Sequence, residues 1–344
     1  MKLNTLLGFV LAINAAVAAL PLQANESRTH IGGYGELHYN NLSSSKVNGD
    51  ETIDLHRFVV FLAHDFSERI HFFSEVEIEH SFVASDAAGE VEVEQAYIQF
   101  DLNDQFSLVA GQFLIPVGLL NETHEPPSFY GVERNPVEKR IIPATWWEAG
   151  IMLSGQRQEW GVSYDLAYHS GLDGGRNVRG GRQKVSKAEA ENKAVTARIK
   201  YSGIAGLELA ASAQYQQDID QVEGGVGSAY LLETHARLQK NRFGLIALYA
   251  VWDIDGVVSP DFLETQIGYY VEGSYRVSER LGVFIRHNYL NYRRDGVLKL
   301  DEEQQNFGVN FWPHEDVVIK ADVQLQNDSA GNKDGFNVGL GYQF

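Results

Sequence analysis

The chain contains no cysteine, so it can form neither a disulfide framework nor a thiol-based catalytic or metal site. Beyond residue 24 it also lacks a run of about 18 apolar residues, the length that a membrane-spanning helix requires. Proline and methionine are scarce, with 8 and 2 residues, whereas Gly (33), Phe (18) and Tyr (16) are frequent. This composition is typical of an all-β protein with many turns.

Basic residues are also few, with 28 Lys and Arg against 46 Asp and Glu, which gives a formal net charge of −18. Nucleic-acid binding needs positive charge against the phosphates, so we expect no nucleic-acid partner. The 11 histidines are scattered, and the sequence has no His-Glu-x-x-His pair and no Gly-x-Ser-x-Gly motif. We therefore predict that the protein is not an enzyme and that it has no catalytic residues, no cofactor and no metal site.

The first 24 residues have the order of parts of a secretory signal peptide. A basic start at Lys2 is followed by an apolar run from Leu6 to Leu20 and by small residues that end at Ala24. The alternative is an N-terminal buried helix. We expect an exported protein in which residues 1–24 are cleaved, with cleavage after Ala18 as the alternative, and residues 25–344 form one domain.

From residue 31 onward, the chain is predicted to consist of sixteen strands, most of them about 9–14 residues long, as needed to cross a bilayer at a tilt. Short and long connections alternate, and both termini fall on the short-turn side. The connections predicted to be long include 41–51, 293–302 and 328–334. This alternation is typical of a bacterial outer-membrane barrel with short periplasmic turns and long external loops. The predicted strands are 31–40, 52–66, 70–82, 91–102, 105–113, 146–155, 159–169, 193–202, 206–216, 230–240, 242–252, 262–277, 280–292, 303–312, 316–327 and 335–344.

Within the strands, large apolar side chains alternate with polar or small ones. The last strand is the clearest case, with Phe336, Val338 and Leu340 on one face and Asn337, Gly339 and Gly341 on the other. Strands 2, 4 and 10 alternate less cleanly, and their register could slip by one residue. The polar faces carry too much charge for the core of a soluble sandwich, so we expect them to line a water-filled lumen, with the last strand closing the barrel on the first. The predicted fold is all-β: a 16-stranded antiparallel transmembrane β-barrel.

The longest connection, residues 114–145, is apolar, and four of its prolines (Pro126, Pro127, Pro136 and Pro143) stiffen it, so we predict that it folds into the barrel and narrows it. The alternative is an external loop that packs on its neighbours. The Gly-rich loop at 170–192, by contrast, is predicted to be mobile. The charged candidates in the constriction loop are Glu122, Glu125, Arg134, Lys139 and Arg140.

Charged residues on the inward faces of the strands are the second set of candidates. Acid on one wall and base on another would create a transverse field that filters ions; the alternative is local pairing between neighbouring strands. The acidic candidates are Glu75, Glu77 and Glu79, and the basic candidates are Arg198, Lys200, Arg237, Arg276, Arg286 and Lys320.

Several motifs resemble the phosphate-selective porin O and P family of Gram-negative bacteria. They are most specific at 106–150, where Gly111-Gln-Phe-x-x-Pro116-x-Gly118 is followed by Asn121-Glu122-x-His124, and Gly33-Tyr-Gly-Glu-Leu-His-Tyr39 is similar as well. The resemblance implies a sixteen-stranded outer-membrane porin, trimeric, that carries small solutes. The final Tyr342-x-Phe344 looks like the signal that the barrel-assembly machinery reads.

The sequence thus predicts a passive diffusion channel in the bacterial outer membrane for small hydrophilic solutes or ions, with anions such as phosphate among the candidates. Its expected partners are outer-membrane lipid, the solutes, the barrel-assembly machinery through Phe344, and further copies of the chain in a homotrimer. Two other classes stay open, namely a barrel enzyme such as a lipid hydrolase and a structural or adhesion barrel.

Overall fold

A computed structural model describes residues 28–44, 47–174, 177–221, 227–255, 262–329 and 331–344. The predicted signal peptide lies outside these residues. Sixteen strands are present in the described part, as the sequence predicts. They are β1 (Thr29–Ser44), β2 (Val47–Ser67), β3 (Ile70–Glu79), β4 (Val91–Asn103), β5 (Phe106–Leu114), β6 (Trp147–Arg157), β7 (Val162–His169), β8 (Ala194–Tyr201), β9 (Leu207–Gln216), β10 (Ala229–Lys240), β11 (Phe243–Ile254), β12 (Thr265–Arg276), β13 (Leu281–Arg294), β14 (Val297–His314), β15 (Val317–Asp328) and β16 (Gly331–Gln343).

The strands form one closed barrel in which each strand pairs antiparallel with its neighbours in sequence. β16 closes the cylinder on β1, in a ladder that runs from Tyr34 opposite Gln343 to Ser44 opposite Lys333. Gly33 and Phe344 add a pair of backbone hydrogen bonds of 2.9 Å at the end of this ladder. The fold class and the predicted pairing of the first and last strands are therefore confirmed, and closure removes the free sheet edges.

The outer face of the barrel is apolar. Ile319, Val323 and Leu325 of β15 are each more than 40% exposed, whereas their neighbours Lys320 and Asp322 are buried inside. This inversion of the usual globular pattern follows from the period of two, which sends alternate side chains outward and inward. No helix in the described part of the chain is long and apolar enough to span a membrane.

Three of the connections predicted to be long are instead continuations of the strands. Residues 41–51, 293–302 and 328–334 are largely taken up by the β1–β2, β13–β14 and β15–β16 hairpins. The β13–β14 hairpin turns at Asp295-Gly296, whose φ values are 49° and 69°. An Asp-Gly pair is a strong signal for a tight hairpin turn because both positions accept positive φ. The prediction of a long loop at 293–302 was therefore wrong.

Two β-bulges explain why strands 2 and 4 alternate less cleanly in sequence. In β2 the pairing with β1 jumps from Arg57 to Leu55, so His56 is the extra residue. In β4 the pairing with β3 jumps from Gln95 to Val93, so Glu94 is the extra residue. A bulge adds one side chain to a strand while its neighbours stay in register. β10, by contrast, pairs regularly with both neighbours.

Residues 115–146 fold into the barrel rather than over its rim, as predicted. This segment, called here the inner loop, contains a 3-10 helix at Pro126–Ser128 and a helix α1 at Pro136–Arg140. The 3-10 helix contacts β1, β15 and β16, while α1 contacts β12 and β13. Local sequence starts α1, because Asn135 caps it by accepting a hydrogen bond from Glu138 N and Pro136 occupies its first turn.

Inward-facing glycines make room for the inner loop. A Cβ atom at Gly268 would lie 2.8 Å from both Val137 and Ile141, and one at Gly341 would lie 2.3 Å from Pro126. Gly339 is covered in the same way by Val132. The sequence predicts that Gly339 and Gly341 face water; they do face inward, but the inner loop covers them, so that part of the prediction was wrong.

Replacing Gly268 with valine should destabilise the packing of the inner loop, because the added atoms overlap Val137 and Ile141. Overpacking of this kind costs about 1–3 kcal/mol. Gly273 lies on the same strand, and a Cβ there would meet only Ile285, at 3.8 Å, so Gly273→Val is the matched control. We expect the midpoint of thermal unfolding, followed by gel mobility of the folded barrel, to fall for Gly268→Val alone. Equal midpoints would show that the inner loop does not rest on β12.

Candidate functional site

A buried carboxylate organises the inner loop. Glu138 is fully buried, and its Oε2 accepts hydrogen bonds from the backbone N–H groups of Leu119 (2.8 Å) and Leu120 (2.5 Å). Its Oε1 accepts from Tyr270 Oη on β12 (2.7 Å) and from Asn135 Nδ2 (3.2 Å). Burial raises the pKa of Glu138, although the bonds from Leu120 and Tyr270 oppose that rise. One side chain thus joins two parts of the inner loop to the barrel wall.

His124 ties the inner loop to the opposite wall. Its Nε2 lies 3.5 Å from a carboxylate oxygen of Glu75 on β3 and 3.5 Å from one of Glu94, the bulged residue of β4. Burial opposes protonation of the ring, but the two nearby carboxylates outweigh it and raise the pKa of His124 well above its usual value. The imidazolium therefore neutralises part of a paired acidic site.

Two of the five candidate residues in the inner loop form ion pairs with the barrel wall. Glu122 pairs with Arg198, and Arg140 pairs with Glu302 of β14. Lys139 Nζ lies 3.6 Å from Glu133 within the loop itself. Arg134 is buried, and its Nε and Nη2 atoms have no hydrogen-bond partner among the described residues, whereas Glu125 is half-buried.

The basic candidates on the strands all belong to inward-facing rows, and two of them pair locally. Arg198 Nη2 lies 2.7 Å from Asp165 of β7, and Arg286 Nη1 lies 3.1 Å from Glu272 of β12. These contacts join adjacent strands, as the local-pairing alternative expects.

The other four basic candidates have different surroundings. Lys320 Nζ lies 3.5 Å from the ring centroid of Phe129, and Arg276 lies 3.5 Å over Trp312. Such placement of a cation on an aromatic face stabilises the charge without a carboxylate. Arg237 stands opposite Glu208 in the β9–β10 ladder. Lys200 lies half-buried on β8, opposite Ala210 in the ladder to β9.

The acidic row of β3 faces inward, as predicted, and is met by a base that the sequence reading missed. Arg57 of β2 lies 3.6 Å from Glu77 and 2.7 Å from Glu36 of β1. Glu75 faces His124, and Glu79 lines the open cavity described next. The sequence does not reveal Arg57 as an inward-facing residue, because the bulge at His56 interrupts the in–out alternation of β2 at that point.

A cavity of about 350 Å³ lies between β1–β4 and the two folded loops. Its acidic lining comes mainly from the wall and its basic lining mainly from the loops. The acidic residues are Glu36, Glu79, Glu90, Glu92 and Glu133, and the basic residues are Arg57, Arg134, Lys139, Arg179, Arg182 and Lys184.

Three bases of the loop at 170–192 line this cavity and were not predicted from the sequence. Arg179 donates hydrogen bonds to the carbonyl oxygens of Lys139 and Ala144, while Arg182 donates to those of Pro143 and Thr145. Lys184 pairs with Glu90 and Glu92 of the β4 side. The described part of this loop is therefore fastened to the inner loop and to the wall, contrary to the expectation of a mobile segment.

Solved structures with the same architecture include outer-membrane porins and channels. The anion-selective porin of Comamonas acidovorans superposes with a TM-score of 0.67 at 10% identity, over 93% of this chain and 100% of that chain. The outer-membrane channel DcaP of Acinetobacter baumannii gives 0.66 at 10% identity, over 94% and 100%. Salmonella typhi OmpF gives 0.66 at 13% identity, over 94% and 100%.

In sequence, the chain is 29% identical to an uncharacterized protein of Aquifex aeolicus (strain VF5) over 349 residues, which cover 88% of this chain and 77% of that protein. No known family profile matches the sequence. Membership of the phosphate-selective porin O and P family therefore stays a prediction. The architecture of the chain is that of the outer-membrane porins.

Proposed function

We propose that the protein is a passive diffusion channel of the bacterial outer membrane for small hydrophilic solutes or ions. The observation that carries this proposal is a closed barrel with an apolar outside, a charged inside and a loop folded across its interior. The apolar exterior suits lipid, and the charged interior suits water and ions. Export by a signal peptide at 1–24, assembly through Phe344 and a homotrimer belong to the same proposal. A trimer form is described for OmpT of Vibrio cholerae, which has a similar fold.

We further propose that the channel prefers anions at the cavity. Arg134, Arg179 and Arg182 line it, and none of them has a carboxylate within ion-pair distance among the described residues. Burial, together with the neighbouring charge of Arg182, lowers the pKa of Arg179 to about 10. The side chains of Arg179 and Arg182 both carry a positive charge at neutral pH, so an anion bound between them would reduce their mutual repulsion. The resemblance noted in the sequence makes phosphate a candidate.

Planar-bilayer recording tests both proposals. The wild-type protein should insert in discrete conductance steps, and its reversal potential in a KCl gradient should show preference for chloride. Replacing Arg134 with glutamine should shift that potential toward cation preference, because the change removes an unpaired positive charge from the cavity. Arg69→Gln is the matched control, since Arg69 is exposed in a short turn between β2 and β3.

Four results would contradict parts of these proposals. Lipid hydrolysis with no conductance would favour the enzyme class, and a sealed barrel that binds ligands on its loops would favour the adhesion class. Equal shifts of the reversal potential in Arg134→Gln and Arg69→Gln would show that the cavity does not determine ion selectivity. Adding phosphate to the chloride solution should reduce the current if phosphate binds in the pore, and an unchanged current would exclude it as a favoured solute.

A further inference from the structure

Three histidines that are far apart in sequence converge on one wall of the cavity. His38 lies on β1, His56 is the bulged residue of β2, and His80 follows the end of β3. All three line the cavity. The sequence reading found no metal spacing because no pair of these residues is close in sequence; only the pairing of β1, β2 and β3 brings them together.

Asp54 stands between two of these imidazole rings. Its Oδ2 lies 3.1 Å from His56 Nδ1 and 2.9 Å from His80 Nδ1. The three ligand atoms lie within 4.8 Å of one another. Tetrahedral zinc holds such atoms at 2.0–2.2 Å, which places them about 3.3 Å apart. The two distances from Asp54 are within a few tenths of an ångström of that spacing, and small rotations of the side chains would let one ion contact both nitrogens and the carboxylate.

Ring orientation selects His56 and His80 over His38. A metal ion lies close to the plane of each imidazole that binds it. The rings of His56 and His80 are nearly perpendicular, at 79°, so their planes intersect. The rings of His38 and His56 are stacked at 15° and 4.7 Å, so their planes do not meet at a shared ion. Both nitrogens of His38 are also engaged, at 3.1 Å from Glu36 and 3.1 Å from Glu133.

We propose that Asp54, His56 and His80 form a binding site for a divalent transition-metal ion of the zinc, copper or nickel class. Imidazole nitrogens with one carboxylate favour these ions over magnesium or calcium, which prefer oxygen ligands. The side chains of His56 and His80 are 18% and 34% exposed, so an ion can reach them from the cavity. Water completes the coordination. In the metal-bound form each ring carries its proton on Nε2, because Nδ1 is the ligand.

The same site predicts an effect of metal on current, and this part rests on the proposed channel function. An ion held by the wall adds positive charge to a cavity that already holds several arginines and narrows the open space beside the inner loop. Zinc at concentrations that fill the site should therefore change the single-channel current of the wild-type protein.

Calorimetric titration of the folded, detergent-solubilised protein, purified without a histidine tag, tests the site itself. Zinc chloride should bind with one ion per chain, and magnesium chloride should not compete. Asp54→Asn and His80→Asn should each weaken zinc binding by at least about tenfold, since even residues that only orient metal ligands change affinity by about 10–100-fold. His64→Asn is the matched control, because His64 lies on the same strand as His56 but contacts Thr29 instead.

Gel mobility of the folded barrel confirms that each variant is assembled before its titration. The proposed metal site would be wrong if the wild-type protein did not bind zinc. It would also be wrong if Asp54→Asn and His80→Asn bound zinc as tightly as the wild-type protein does. Zinc that binds but leaves the current of a conducting channel unchanged would overturn the effect on current. Because the titration requires no current, a protein that binds zinc but conducts nothing would count against the proposed channel function and not against the metal site.

Discussion

Removal of the inner loop is expected to raise the single-channel conductance severalfold. A variant that lacks residues 116–145 keeps the β5–β6 ladder, because Ile115 N already donates to Trp146 O at 2.9 Å and a short Gly-containing turn can join these residues. The inner loop contacts strands on the far side of the barrel, so its removal opens the cross-section that it now crosses. Planar-bilayer recording in about 1 M KCl measures the change. At this salt concentration the Debye length is about 3 Å, so the screened wall charges contribute little and the conductance reports mainly the open cross-section.

The loop between β3 and β4 provides the control for this experiment. Its residues Phe82 and Val83 are 67% and 49% exposed, so a deletion within 82–88 removes external chain without touching the inner loop. We expect this second deletion to leave conductance close to that of the wild-type protein. Equal conductance in both deletion variants and the wild-type protein would mean that ions do not pass where the inner loop lies.

Replacement of Glu138 with alanine should release the inner loop while the barrel remains closed. The change leaves the donors of Leu119, Leu120, Asn135 and Tyr270 without their acceptor in a buried site. Each buried donor without a partner costs about 1–3 kcal/mol. We expect rapid cleavage within residues 116–145 by a protease added to the folded protein, together with noisy, larger current steps.

Two further variants separate the role of Glu138 from a general effect of charge or size. Glu125 lies in the same loop but is half-buried, so Glu125→Ala should resist the protease as the wild-type protein does. Glu138→Gln retains one carbonyl acceptor for the Leu119 and Leu120 N–H groups. Its cleavage rate should therefore lie between that of Glu138→Ala and that of Glu125→Ala. Equal protection of Glu138→Ala and Glu125→Ala would show that other contacts hold the loop.

The strands could be predicted because each repeats one local rule. The alternation of Ile319, Val323 and Leu325 with Lys320 and Asp322 determines both the strand and its orientation, and it does not depend on distant residues. The entry of the inner loop could also be predicted, since an apolar, proline-rich segment of that length needs a surface on which to pack. The glycines on which the inner loop packs, including Gly268 and Gly341, can be read from the sequence. Their role cannot, because it depends on which part of the chain packs against the far wall.

The candidate site was harder to predict because its contacts join distant parts of the chain. Arg57 meets Glu36 and Glu77 only through the pairing of β1, β2 and β3. Arg179 and Arg182 belong to a Gly-rich segment whose composition suggests mobility, yet their hydrogen bonds go to carbonyl oxygens of the inner loop. A periodic pattern reports which face a residue occupies, and it carries no information about which loop will cover that face.

The two bulges have a consequence for how such a channel can change in evolution. If His56 is omitted, Asp54, Leu55 and Arg57 continue a regular in–out–in alternation, and the same holds for Glu92, Val93 and Gln95 when Glu94 is omitted. Each bulged residue is thus equivalent to a single-codon insertion that leaves the faces of all other residues unchanged. One such insertion supplies a ligand of the proposed metal site, and the other supplies a carboxylate that holds His124. A barrel wall can therefore acquire new interior chemistry one residue at a time without a new fold or a new register.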